Sequence, residues 1–160
     1  MNNSSSCCDV TATNNLLKTY CPPEQKEYLR KNTVCSHYKK GDLIFREHQT
    51  AFSVYFISSG KVELWKEGIY SQKQVIRIAG EGEIIGYRGA ILKHLDYKLS
   101  ATALDDCTIC LIEKDIFEKA LKENPELNLS IPLAYINELE KVETRLRNLV
   151  NMNVREKVAE

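Results

Sequence analysis

The sequence predicts a mainly β fold, a sandwich or jelly roll, with flanking helices and a long C-terminal helix. Seven or eight short segments rich in β-branched and aromatic residues lie close together before residue 113. Their number and spacing are typical of a two-sheet β domain. Helical periodicity takes over only after this point. A chain of 160 residues with 43% hydrophobic content is enough for one packed domain.

The N-terminal region predicts a tail followed by two short helices. Residues 1–13 are polar and rich in Ser and Asn, so we expect a disordered tail. Asn14 and its neighbours suit the N-terminal cap of a short helix that carries Leu17. Pro23 suits the first position of a second helix, in which Leu29 faces inward.

The strands are predicted from alternating apolar and polar residues. In order, the segments are V-C-S-H-Y from residue 34, L-I-F-R-E-H from 43, F-S-V-Y-F-I from 52, K-V-E-L-W-K from 61, and then residues 72–78, 101–104 and 108–112. The third and fourth segments flank the turn S-S-G, and we interpret them as a β-hairpin.

Between these strands lies a turn punctuated by Gly80, Gly82 and Gly86. Glycine lets the backbone approach another group closely, because it carries no Cβ. Residues 87–94 predict a helical turn or two directly after it. A turn that leads into a helix exposes backbone amides, which can hold an anion.

After Glu113 the pattern predicts two helices. The first ends at Asn124-Pro125, because the residue before proline disfavours the helical conformation. The second runs from Pro125, and Pro132 either kinks it or marks its start. Beyond Pro132, apolar residues recur at spacings that alternate between three and four residues, as in a coiled coil. This spacing favours pairing with the same helix of a second subunit over packing of the helix on its own domain. The seam residues are Tyr135, Leu139, Val142, Leu146, Leu149 and Asn153.

In order, these segments resemble the sensor domain of the Crp/Fnr family of transcription regulators, a cyclic-nucleotide-binding-like domain. The matching motifs are Lys40-Gly41-Asp42, Phe45, Tyr55-Phe56-Ile57, Ser59-Gly60-Lys61-Val62 and the glycines from Gly80 to Gly86. The resemblance implies a double-stranded β-helix, or jelly roll, over residues 14–124 and a dimerisation helix over 125–160. It also implies that DNA contact, and any contact with RNA polymerase, belongs to a full-length protein with a winged-helix domain that this chain lacks.

In that family a Glu binds the ribose hydroxyl and an Arg binds the cyclic phosphate. Tyr87 and Tyr97 stand at these positions here. One interpretation is a pocket filled by the two tyrosines; another is a cyclic nucleotide or other small anion as ligand, with no cofactor required. The candidate ligand-binding residues are Gly86, Tyr87, Arg88, Gly89, Tyr97 and Lys98.

The six cysteines allow a redox alternative. The Fnr branch holds an iron–sulfur cluster with N-terminal cysteines and one on a late strand, and Cys21 and Cys110 are the candidates for it here. The spacing departs from closely spaced ligand motifs. Buried thiols without a special role, or a thiol-based role for Cys7 and Cys8, are the other interpretations.

A cupin-like metal enzyme is the alternative from another class. His37 and His48 lie 11 residues apart without an H-x-H motif, so no metal site and no enzyme are predicted. Twenty-two basic residues balance 22 acidic ones, which gives the chain no general attraction to nucleic acid. The sequence has no apolar run of membrane-spanning length and no secretory signal, and we expect a cytoplasmic location.

Overall fold

In a computed structural model that describes residues 9–88 and 96–158, eight strands form two four-stranded antiparallel sheets. The strands are β1 (Thr33–Tyr38), β2 (Leu43–Phe45), β3 (Ser53–Ser59), β4 (Val62–Glu67), β5 (Lys73–Ala79), β6 (Ile84–Ile85), β7 (Ser100–Ala103) and β8 (Cys107–Glu113). One sheet has the order β1-β8-β3-β6 and the other has the order β2-β7-β4-β5. The predicted jelly roll with flanking helices is confirmed.

The helices lie before and after the roll, as predicted. They are α1 (Val10–Thr13), α2 (Asn15–Tyr20), α3 (Pro23–Lys31), α4 (Lys114–Glu123) and α5 (Pro125–Val158), and a 3₁₀ turn spans Ile69–Ser71. The Asn14 side chain accepts a hydrogen bond from the Leu17 amide at 3.0 Å, which confirms the predicted cap of α2. No helix within the described ranges is long and apolar enough to cross a lipid bilayer.

The expected disordered tail is wrong for residues 10–13, which form α1. Val10 is 1% exposed because it packs into the core between the helices and the roll. The Asp9 side chain caps this turn by accepting a hydrogen bond from the Thr11 amide at 3.0 Å. Residues 1–8 lie outside the part of the chain that the structure describes.

Two hydrophobic cores result from the alternation of side chains along β3 and β8. Ile57 and Ile109 point between the two sheets, into the inter-sheet core. Phe56, Cys110 and Ile112 point the other way, into the helix-side core, where the helices cover the first sheet. Because both faces of this sheet are buried, its central strand β8 reads as a nearly continuous apolar run.

The predicted hairpin between β3 and β4 is wrong. β3 pairs with β6 and β8, whereas β4 pairs with β5 and β7 in the other sheet. The intervening turn carries the chain across the roll at Gly60, which has φ +90°, and a Cβ there would lie 2.6 Å from the Asp106 carbonyl oxygen. The close contact with the β7–β8 turn therefore fixes the crossing.

Helix α5 begins at Pro125 and continues through Pro132, so Pro132 is not its start. The Asn124 side chain accepts a hydrogen bond from the Leu127 amide at 3.1 Å and so caps the helix. Leu127 and Ile131 are buried in the helix-side core. The first turns of α5 thus pack on their own domain, while its later part extends beyond it.

Candidate functional site

The glycine-rich turn leads through β6 to Gly86. The two residues of β6 pair with Phe56 and Tyr55 of β3, and both are buried. Gly86 has φ +76°, and a Cβ there would lie 3.3 Å from the Tyr97 ring and 3.4 Å from the Tyr55 ring. A strand of two residues gives no alternation to detect, so sequence patterns missed β6.

Tyr97 lies in an aromatic cluster with Phe45 and Tyr55, next to Gly86. The Tyr97 and Phe45 rings stack with centroids 4.2 Å apart, and the Phe45 and Tyr55 centroids are 5.1 Å apart. The Tyr97 hydroxyl donates to the Ser53 carbonyl at 3.1 Å and accepts from the Ser53 amide at 3.4 Å. Tyr97 is 5% exposed, so its ring occupies the interior of the roll at the bend.

The aromatic cluster offers no positive charge to an anion. Burial, followed by the hydrogen bond with Tyr97, raises the pKa of Tyr55 well above its ordinary value, so Tyr55 stays neutral. A phosphate buried against three aromatic rings would lack a partner charge, at a cost of several kcal/mol. The position that the family resemblance assigns to the phosphate-binding Arg is therefore a packed, uncharged part of the core.

Tyr87 and Arg88 face the opposite way, toward α5. Arg88 donates a 2.6 Å hydrogen bond from Nη2 to the Tyr135 hydroxyl, and its guanidinium lies 4.8 Å from the centre of the Tyr135 ring. The rings of Tyr87 and Tyr135 meet edge to face, with centroids 6.3 Å apart. Burial raises the pKa of Tyr87 to about 12. The two tyrosines therefore do not fill one pocket: Tyr97 belongs to the inter-sheet core, and Tyr87 packs against the helix-side core.

A cavity of about 150 Å³ lies between α5, α2 and residues 80–88, which we call the cassette. Tyr87, Tyr135 and Ile131 form part of its wall, and charged groups lie beside them. Arg77 Nη1 lies 2.8 Å from Glu83 Oε1 and 3.1 Å from Glu138 Oε2, so one guanidinium bridges the turn and the helix. We call this the helix-side cavity. Among the described residues, the contacts Arg77–Glu138 and Arg88–Tyr135 connect this region to α5.

The remaining candidate ligand-binding residues are Lys98 and Gly89. Lys98 lies apart from the aromatic cluster and from the helix-side cavity, and Gly89 lies outside the described residues. Lys98 Nζ donates to Asp96 Oδ1 at 2.9 Å, and this hydrogen bond lowers the pKa of Asp96. Gly89 and the predicted helical turn up to residue 94 fall within residues 89–95, outside the described ranges. The geometry thus brings Gly86 and Tyr97 together on one side and Tyr87 and Arg88 on the other.

The two cysteine candidates for a cluster, Cys21 and Cys110, both lie in the buried helix-side core. Cys21 is 5% exposed, and burial raises the pKa of its thiol to about 11. Cys110 is fully buried, and its Sγ lies 3.1 Å from Sγ of Cys35. Within residues 9–88 and 96–158, no three His, Cys, Asp or Glu side chains form a group suited to a metal. Cys7 and Cys8 lie outside these ranges.

The predicted seam on α5 divides into two parts. Tyr135 is half-buried because it contacts Arg88 within the same chain. The next four seam residues are exposed by 42–57%: Leu139, Val142, Leu146 and Leu149. The side chain of Asn153 lies outside the described set. The exposed apolar part of the seam begins only where α5 leaves its own domain.

Two antiparallel sheets, a glycine bend between β5 and β7 and a long C-terminal helix together define the class of this domain. Residues 35–124 match the cyclic nucleotide-binding domain family, and the chain belongs to this family.

Relatives agree with the predicted Crp/Fnr-type sensor domain. The chain is 29% identical over 112 residues to the anaerobic regulatory protein of Bacillus subtilis (strain 168), covering 70% of this chain and 47% of that protein. The chain therefore spans about half the length of that curated relative.

Two solved structures share the fold. The catabolite activator protein of Thermus thermophilus superposes with a TM-score of 0.69 at 20% identity, over 84% of this chain and 63% of that one. The sensor domain of the transcriptional regulator DNR from Pseudomonas aeruginosa gives a TM-score of 0.69 at 18% identity, over 79% and 87%. All three are regulatory proteins by name, and the two solved structures show the shared fold.

Proposed function

We propose that the chain is the effector-sensing domain of a Crp/Fnr-type transcription regulator that responds to an effector other than a cyclic nucleotide. The observation that carries this proposal is the position of Tyr97. Its ring fills the roll beside Gly86, and its hydroxyl is committed to the Ser53 backbone. The side chain that would supply positive charge is thus replaced by neutral, packed aromatic surface.

Helix α5 is the element that carries the signal in this proposal. The cassette contacts it through Arg88–Tyr135, and β5 contacts it through Arg77–Glu138. An effector changes the orientation of a helix only if it binds one arrangement more tightly than the other. An effector in the helix-side cavity can meet this condition, because Arg77, Tyr135 and Glu138, which belong to these contacts, line the cavity.

In the whole regulator, α5 joins two subunits and connects the sensor to a DNA-binding domain. The exposed Leu139, Val142, Leu146 and Leu149 support the first role, since an apolar helical stripe is stabilised by burial against a partner. The neutral overall charge of this chain supports assigning DNA contact to another domain.

Calorimetric titration with cyclic AMP and cyclic GMP tests the proposed exclusion of cyclic nucleotides. We expect no binding heat at ligand concentrations up to about 1 mM. A dissociation constant of that size corresponds to a binding free energy of about −4 kcal/mol. Tyr97→Phe is the matched variant, because it keeps the ring that fills the site and should also not bind. Saturable binding of either nucleotide at micromolar strength would contradict the proposal.

A further inference from the structure

Cys35 and Cys110 form a cross-strand pair at the edge of the first sheet. Cys35 on β1 lies directly opposite Cys110 on β8 in the antiparallel register. Opposite residues of an antiparallel pair have Cα atoms about 4.5–5.5 Å apart, within the range that a disulfide spans. Their Sγ atoms are in contact at 3.1 Å. The backbone therefore already holds the two side chains where a bond between them needs no strand movement.

The two sulfur atoms differ in access. β1 is the edge strand of its sheet, and Cys35 is half-buried there. Cys110 lies on the central strand β8 and is 0% exposed. A small disulfide reagent from solvent therefore reaches Cys35 first. Cys110 then lies close enough to attack the mixed disulfide that forms at Cys35. Cys107, on the same strand as Cys110, is opposite Tyr38 and has no such neighbour in the register.

The pair also lies in the core that supports α5. Cys110 belongs to the helix-side core together with Phe117, Leu127 and Ile131, and Cys35 packs against the same cluster. Cys110 is moreover the register partner of Phe56 on β3. A covalent change at this pair therefore acts on the same packed side chains as the first turns of α5.

We propose that Cys35 and Cys110 are a reversible thiol–disulfide modification site, oxidised by a low-molecular-weight disulfide of the glutathione class. The Cys35 thiolate attacks the reagent disulfide, forms a mixed disulfide and releases one thiolate. Cys110 loses its proton to solvent, attacks the Cys35 sulfur and releases the second thiolate. The two cysteines give up two electrons, the reagent disulfide gains them, and two equivalents of the small thiol result.

This assignment is independent of the effector proposed above, because it involves neither the aromatic cluster nor the helix-side cavity. It gives Cys110 a partner on the neighbouring strand instead of a place in an iron–sulfur cluster. The two proposals can accordingly fail separately.

The test equilibrates the full chain with mixtures of reduced and oxidised glutathione, quenches free thiols with an alkylating reagent and maps tryptic peptides by mass spectrometry. Cys35 falls in the peptide 32–39, whereas Cys107 and Cys110 share the peptide 99–114. Cys107→Ala and Cys110→Ala are therefore matched variants that separate the two partners. Cys35→Ser, at a half-buried edge position, provides a second variant that leaves the central strand intact.

We expect a cross-link between peptides 32–39 and 99–114 that persists in Cys107→Ala, disappears in Cys110→Ala and Cys35→Ser, and reverses with dithiothreitol. The oxidised chain should also melt about 5–15 °C above the reduced chain, because the bond closes a long loop in the unfolded state. A folded wild-type chain without this cross-link at any glutathione ratio would overturn the proposal. So would a cross-link that is lost in Cys107→Ala and kept in Cys110→Ala.

Discussion

Arg88 on the cassette and Tyr135 on α5 are joined twice, by a 2.6 Å hydrogen bond to the hydroxyl and by the guanidinium lying over the ring. The residue before Arg88 packs its own ring edge-on against Tyr135. Any rearrangement of the cassette that moves Arg88 must therefore also act on the first half of α5. Together with the Arg77 bridge between Glu83 and Glu138, this contact connects the bend to the helix.

Removing this connection should loosen α5. Tyr135→Phe deletes the hydroxyl but keeps the ring, so we expect a loss of about 1 kcal/mol in the free energy of unfolding. Arg88→Met deletes both contacts, and we expect about 2 kcal/mol. Urea unfolding at one fixed protein concentration measures both values. Arg145→Met removes the same charge from an exposed position on α5 and should change stability by less than about 0.5 kcal/mol.

If the Arg88–Tyr135 contact acts on α5, the same variants should change amide hydrogen exchange in α5 more than they change the global free energy of unfolding. We expect faster amide hydrogen exchange over the first turns of α5 in Arg88→Met, with β8 unaffected. Uniform acceleration across the roll would instead indicate a purely global effect.

Tyr97 should behave as a core residue. Tyr97→Phe loses both hydrogen bonds to Ser53, and we expect about 1 kcal/mol of destabilisation. Tyr97→Ala also removes a buried ring and should cost about 3–5 kcal/mol. Tyr70→Phe is the control, because Tyr70 is 90% exposed and should be neutral. Thermal and urea unfolding measure the series; a stable Tyr97→Ala would show that the roll interior is not packed around this ring.

Alanine substitutions at Gly86 and Gly41 distinguish the cost of backbone strain from the cost of side-chain crowding. Both have positive φ, but a Cβ at Gly41 meets nothing within 4 Å, whereas one at Gly86 meets the Tyr97 and Tyr55 rings. Gly41→Ala should cost about 1 kcal/mol from the backbone alone. Gly86→Ala should cost roughly 1 kcal/mol more, because the rings must shift. Equal losses in the two variants would argue against close packing at the bend.

The buried thiol of Cys21 should make stability fall at alkaline pH. Its pKa rises from the ordinary 9.0 to about 11, so between these values the folded chain retains a proton that the unfolded chain releases. This contribution is fully present below pH 9 and is lost as pH rises toward 11, by up to about 2–3 kcal/mol. Urea unfolding between pH 8 and 10.5 should show a shallower decline for Cys21→Ala than for wild type.

The exposed part of the seam should support a homodimer. Leu146→Asp introduces a charge into the stripe, and we expect the dimer to dissociate at least about tenfold more readily in sedimentation experiments. Asn148→Asp adds the same charge at a neighbouring exposed position outside the seam and should leave association unchanged. A monomeric wild-type chain at high concentration, or equal effects of both variants, would remove the dimer helix from the proposed function.

Several elements were predictable because their signals are local. The Asn14 cap, the Pro23 start of α3 and the alternation along most strands depend on residues within a few positions of each other. Among the described strands, the two-residue β6 could not be detected from such alternation. The five motifs in family order then identified the roll, which the match over residues 35–124 confirms.

The sequence by itself determined the class of fold, most of the order of elements and the presence of tyrosine at residues 87 and 97. The tertiary structure alone decided that β3 and β4 lie in different sheets, that Val10 is buried, and that Tyr97 and Tyr87 face opposite cores. The physical reason is that these contacts join residues far apart in the sequence. They depend on which strands pair, and the spacing of apolar residues within one segment does not determine that pairing. Cys35 and Cys110, 75 residues apart, meet for that reason.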